Sequence, residues 1–203
     1  IIARTCPVRL SNSETLLPQA AETLRELGLN FGDVQGIAFG MGPGSFTGLR
    51  VSCGAAQGLA VARDLLLLGI GTLEAMALVS GGERVIVALD ARMGEVYYGV
   101  YVQGKLQGEI GVYAPDAVPV PDSTGWVACG NGLSSYPVLL ERLASVVDVW
   151  KPEIMPSAEA VVRLAAPRLE HGEAIDPADA APLYVRNKVA QTVAERLAVG
   201  GKA

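Results

Sequence analysis

The run Gly42-Pro43-Gly44-Ser45-Phe46-Thr47-Gly48-Leu49-Arg50 joins a strand-like segment, Val34–Phe39, to a helix-like one, Thr47–Arg63. A glycine turn feeding a helix N-terminus gathers backbone N–H groups at the positive end of the helix dipole, where anions bind. Two known phosphate cradles fail on spacing. Counting from Gly42 puts Thr47 where the second Walker glycine belongs, and no lysine follows. Counting from Gly40 puts Ser45 where the last glycine of the dinucleotide fingerprint belongs. Two readings stay open. The run is a tight turn into a helix, or it is a weak anion nest of Gly44, Ser45 and Thr47 amides flanked by Gly42 and Gly48.

The helix that follows carries Gly54 and Gly58 in its interior. Each glycine costs about 0.8–1 kcal/mol of helicity relative to alanine. Gly48, Ser52, Ala55, Ala56 and Ala60 add little bulk. A surface this bare suits close approach of another element. Either it packs within the subunit, or one face rests on a sheet while another receives a partner helix.

The chain has 203 residues, half of them hydrophobic, with a net charge of −5. That composition is globular, and the charge disfavours direct binding to nucleic acid. Three widely spaced cysteines, Cys6, Cys53 and Cys129, with no C-x-x-C, fit a reducing compartment and no structural zinc. With no apolar span or leader pattern in view, the expected location is the cytoplasm.

Ile1–Leu10 reads as β-like. Ser11 and Glu14 form a capping box before the helical spacing of Leu16, Leu17, Ala20, Ala21, Leu24 and Leu27, which stops at Gly28. Leu65–Ile70 reads as a buried strand, and Thr72–Val79 as a short helix capped by Thr72. Arg84–Leu89 and Glu95–Val102 read as a hairpin turning at Met93-Gly94, with Leu106–Tyr113 a further strand. Pro115–Pro121 is a loop, Trp126–Cys129 a strand, Ser135–Ala144 a helix and Val146–Val149 a strand. Ala158–His171 is a helix capped by Ser157. This alternation predicts an α/β fold of two subdomains built on mixed sheets. Gly81-Gly82 divides them into 1–81 and 82–203.

Few residues suggest chemistry. His171, the only histidine, sits at a helix end where a cation complements the dipole. Asp90 ends a strand, where it serves a metal or base, or caps the turn with its side chain. Tyr97, Tyr98 and Tyr101 read as core or interface anchors. Tyr184 and Arg186 receive no role. No catalytic set and no metal set emerges.

Three motifs, in order, carry a resemblance: GMGPGSFTGLR at Gly40–Arg50, DARMGEVY at Asp90–Tyr97 and LYVRNKVAQ at Leu183–Gln191. With them the chain resembles the TsaB (YeaZ) family, bacterial partner proteins in the synthesis of threonylcarbamoyladenosine on tRNA. The resemblance implies two ribonuclease-H-like subdomains of actin/Hsp70 type and a non-catalytic scaffold. The scaffold would bind and activate the transferase TsaD, with TsaE joining the assembly, and would form a homodimer in isolation. Contact with tRNA would come only through the complex. Carried over, the partner surface falls on Leu16, Leu17, Ala20 and Leu24 of the first helix. On the second it falls on Arg50, Val51, Gly54, Ala55, Gly58 and Val61. The isolated chain would need no cofactor, while ATP or ADP at the complex interface stays open.

The family opens with two further strands bearing an acidic phosphate loop, so this sequence is expected to be incomplete at its start. Met41 stands where the family has arginine, and Asn12 where it often has histidine. Two alternatives remain. One is a glycoprotease-like metallopeptidase, the other a free-standing ATPase of the same superfamily.

Overall fold

The computed structural model describes residues 1–5 and 12–185, with Asn12 and Ser13 described by backbone alone. Two sheets form. In the first, β1 (Gly36–Gly42) and β2 (Leu66–Gly71) pair in parallel. The second contains β3 (Arg84–Arg92), β4 (Glu95–Val102), β5 (Lys105–Tyr113), β6 (Trp126–Cys129) and β7 (Val147–Lys151), arranged β5-β4-β3-β6-β7. β3, β4 and β5 are an antiparallel meander, and β6 and β7 continue from β3 in parallel. This is the ribonuclease-H-like order that the resemblance implied.

Six α-helices are described: α1 (Asn12–Glu26), α2 (Phe46–Arg63), α3 (Thr72–Ser80), α4 (Gly132–Ser135), α5 (Val138–Leu143) and α6 (Ala158–Glu170). β3 sits in the middle of the second sheet and is covered on both faces, so Val85–Leu89 is an unbroken apolar run. Its period of two splits that run cleanly. Ile86 and Ala88 join Tyr98, Trp126, Leu133, Leu139 and Leu143 on one side. Val85, Val87 and Leu89 join Leu73, Met76, Tyr101 and Cys129 on the other.

The first sheet is covered likewise. Cys53, Ala56 and Ala60 of α2 pack on Phe39 and Leu67, and Ala160 and Ala165 of α6 pack near Leu68 and Ile70. A helix from late in the chain thus returns to the first sheet. It is tied to α3 by the ion pair of Arg168 with Glu74. Lys151 Nζ adds a hydrogen bond to the Ser80 carbonyl at 2.8 Å.

Several expectations need correction. The helix predicted over Ser135–Ala144 begins only at Val138, and a separate short helix, Gly132–Ser135, precedes it, because Pro137 has no N–H and pushes Tyr136 out of the α region, to φ −134° and ψ 90°. Thr72 does not cap α3. Gly71 holds that position, and Thr72 is the buried first helical residue. Residues 1–5 have no strand pairing, and Arg4 instead bonds Glu22 and Glu26 of α1. The rest of the predicted first strand, the cap Ser11, Cys6, Arg186 and the motif beyond Val185 lie outside the described residues.

Candidate partner-binding face and cleft

α2 has two distinct faces. Leu49, Cys53, Ala56 and Ala60 are buried inward. Arg50, Gly54, Gly58 and Val61, at helical spacing, lie outward. Val61 is 70% exposed. A Cβ built on Gly54 or Gly58 would meet no atom within 4 Å. Close packing inside the subunit therefore accounts for Ala56 and Ala60 and not for Gly54 and Gly58. Val51 and Ala55 are half-buried at the edges of the outward stripe.

α1 adds apolar surface. Leu16 and Leu17 are exposed, while Ala20 and Leu24 are half-buried. A groove of about 250 Å³ between the helices is lined by Leu16, Gln19, Gly48, Val51 and Ser52, among others. On the far side, Gln57 Nε2 donates to the Pro177 carbonyl at 2.6 Å. Beside it an open groove of about 490 Å³ runs past Gly54, Gly58 and Val61.

The glycine run folds as a tight turn into α2. Gly42 has φ +117°, and a Cβ there would lie 2.9 Å from the Leu183 carbonyl oxygen and 3.0 Å from Leu49 Cδ1. Only glycine fits comfortably. Ser45 is the N-cap of α2 and accepts from the Gly48 N–H at 3.4 Å. Gly44, Ser45 and Gly48 line a cleft of about 420 Å³ between the two sheets, whereas Gly42 and Thr47 do not.

Asp90, Arg92 and Asn131 line the opposite wall. Among the described residues Asp90 is the one carboxylate lining the cleft, and its oxygens are engaged. Oδ1 accepts from Tyr136 Oη at 2.9 Å and from the Arg92 N–H at 2.8 Å. Oδ2 pairs with Arg92 Nη1 at 3.3 Å. Asn131 Oδ1 accepts the Asp90 N–H at 3.0 Å. Desolvation, then the hydrogen bond and negative charge of Asp90, push the Tyr136 phenol above its ordinary range. Asp90 thus caps the turn at Arg92-Met93-Gly94. Among the described residues no lysine lines the cleft, and this lining fits phosphoryl-transfer chemistry poorly.

His171 ends α6 and turns its ring onto the Pro167 carbonyl. Among the described residues, no three His, Cys, Asp or Glu side chains are grouped to hold a metal. No described helix is long and apolar enough to cross a membrane.

Sequence reasoning missed Tyr136, Asn131 and the contacts of Tyr184. The last reach α2: Tyr184 Oη accepts from Arg50 Nε at 3.1 Å, and its ring lies 5.8 Å from that of Phe46. These partners lie far apart in the chain, and no local pattern signals them.

The family model for TsaD, the tRNA N6-adenosine threonylcarbamoyltransferase, matches residues 9–114. The chain is 34% identical over 201 residues to the tRNA threonylcarbamoyladenosine biosynthesis protein TsaB of Escherichia coli K12, covering 91% of this chain and 84% of that one. The protein of the same name from Haemophilus influenzae is 32% identical over 196 residues, with 88% and 81% covered. The solved structure of YeaZ from Pseudomonas aeruginosa matches with a TM-score of 0.78 and 35% identity, over 86% of this chain and 85% of that one. With the strand order and the two-faced α2 already described, these likenesses show that the chain belongs to the TsaB (YeaZ) family of the actin-like superfamily.

Proposed function

We propose that this chain is an accessory subunit for threonylcarbamoyladenosine synthesis on tRNA, docking through α1 and α2 onto a TsaD-type transferase and activating it. One observation carries the reading. Gly54 and Gly58 forfeit roughly 2 kcal/mol of helicity together, yet their Cβ positions open onto empty space. Nothing within the described chain repays that cost. A helix from a partner, approaching closely along the stripe, would do so through dispersion contacts. The exposed Leu16 and Leu17 of α1 would extend the same contact.

The same face supports a homodimer when the transferase is absent. TsaE and tRNA enter only through the assembled complex, in a cytoplasmic setting. We assign no reaction to the isolated chain. Asp90 is occupied by Tyr136 and Arg92, which leaves no free carboxylate among the described residues of the cleft wall for a metal-bound nucleotide. ATP or ADP, where it takes part, belongs to the assembled interface.

The test is reconstitution. Purified chain mixed with TsaD and TsaE of the same organism should form a complex and restore tRNA modification. Alone it should hydrolyse neither ATP nor peptides. Metal-dependent proteolysis by the isolated chain would replace this reading with the peptidase one.

A further inference from the structure

We propose that Arg50, held in place by Phe46 and Tyr184, is a clamp for a carboxylate side chain on the docking partner. The inference rests on the docking role of α2 and names the chemistry that one end of that face recognises.

The guanidinium is preorganised on two sides. Its central carbon lies 4.0 Å from the centroid of the Phe46 ring, a cation–π distance. Its Nε donates to Tyr184 Oη at 3.1 Å. Tyr184 is itself anchored, because the adjacent Leu183 N–H donates to the Met41 carbonyl at 2.7 Å. With Nε used, the Nη1/Nη2 edge of the fork keeps the geometry that a carboxylate accepts bidentately. Arg50 is exposed and makes no ion pair among the described residues.

Folding does not account for the placement. A cation close to a helix N-terminus opposes the dipole, and the first turn of α2 contains no acidic residue to offset it. This end of α2 is therefore locally positive in a chain whose net charge is −5. Arg50 shares its face with Gly54, Gly58 and Val61, so a partner helix lying along the glycines would bring its side chains to the guanidinium. The apolar neighbours on that face and the acidic chain favour a protein carboxylate over an RNA phosphate. A lysine would supply charge without the planar stack or the Nε–H.

The experiment is a titration of the full chain with TsaD of the same organism, at about 50 mM and about 500 mM salt. At low salt, Arg50→Glu should weaken binding by roughly thirtyfold or more and Arg50→Lys by roughly tenfold. Tyr184→Phe, which frees the guanidinium from one side, should weaken it about threefold. The Arg50→Glu deficit should shrink at high salt. Melting temperatures should stay near the parent value, since both residues are exposed. Should Arg50→Glu fail to fold, Arg50→Gln serves in its place. Unchanged affinity, or a deficit of equal size at both salts, overturns the clamp. So does unchanged affinity for TsaD with weaker retention of tRNA, which would assign Arg50 to phosphate. Gly54→Leu separates the two levels: if it abolishes binding while Arg50→Glu does not, the clamp fails alone. If both bind normally, the docking face itself is wrong.

Discussion

The phenol of Tyr136 donates to Oδ1 of Asp90 at 2.9 Å, bridging 46 positions of the chain. The bond joins the end of α4 to the β3–β4 turn and holds the cleft wall. Tyr136→Phe should lower stability by about 1 kcal/mol. Asp90→Ala should cost more, because the Arg92 N–H and guanidinium each lose an acceptor as well. Thermal melts of the two variants check the order. Equal stability of all three proteins would mean that the turn holds itself.

Gly42→Ala should destabilise by about 2 kcal/mol, combining a positive φ with contact against the Leu183 carbonyl and Leu49. Because the clash faces the segment that carries Tyr184, the variant should also expose that segment to protease before the rest unfolds. Limited proteolysis followed by mass spectrometry reads both effects.

The ion pair of Arg168 with Glu74 ties α6 to α3, with side chains about one-third and one-fifth exposed. Arg168→Met should cost about 1–2 kcal/mol, below the figure for a fully buried pair because water still reaches the arginine. Denaturant titration gives the number.

Burial pushes the Cys129 thiol up to about 12 from an ordinary 9.0. The folded state therefore holds this proton at a pH where the unfolded state has released it. Stability from this group is complete below about pH 9 and falls as pH rises from there towards 12. Cys129→Ala should show a shallower alkaline loss of stability than the parent, whatever its cost at neutral pH. In the folded parent, Cys129 should resist alkylation at pH 8.

Local signals reached some elements and not others. Glu95–Val102 and Trp126–Cys129 were legible to the residue, because turn residues bound a strand-like run at each. The helix over Ser135–Ala144 read as continuous because its apolar spacing runs through the point where Pro137 breaks it. Periodicity showed α6 to be a helix but could not say which sheet it covers, since that depends on the return of the chain. The turn role of Asp90 was open to inference from its place at a strand end, whereas Tyr136 and Tyr184 act over long separations that leave no local trace. Gly54 and Gly58 of α2 were visible as a cost. That their Cβ positions face open space is a fact of the fold.

The central claim is that Gly54 and Gly58 serve a partner and not the subunit. Gly54→Leu tests it with two readouts on one protein: denaturant stability of the isolated chain and affinity for TsaD. The account predicts unchanged or increased stability, up to about 1 kcal/mol from added helicity, together with loss of TsaD binding. A variant that binds TsaD normally, or one that unfolds because the leucine collides within its own chain, would contradict it.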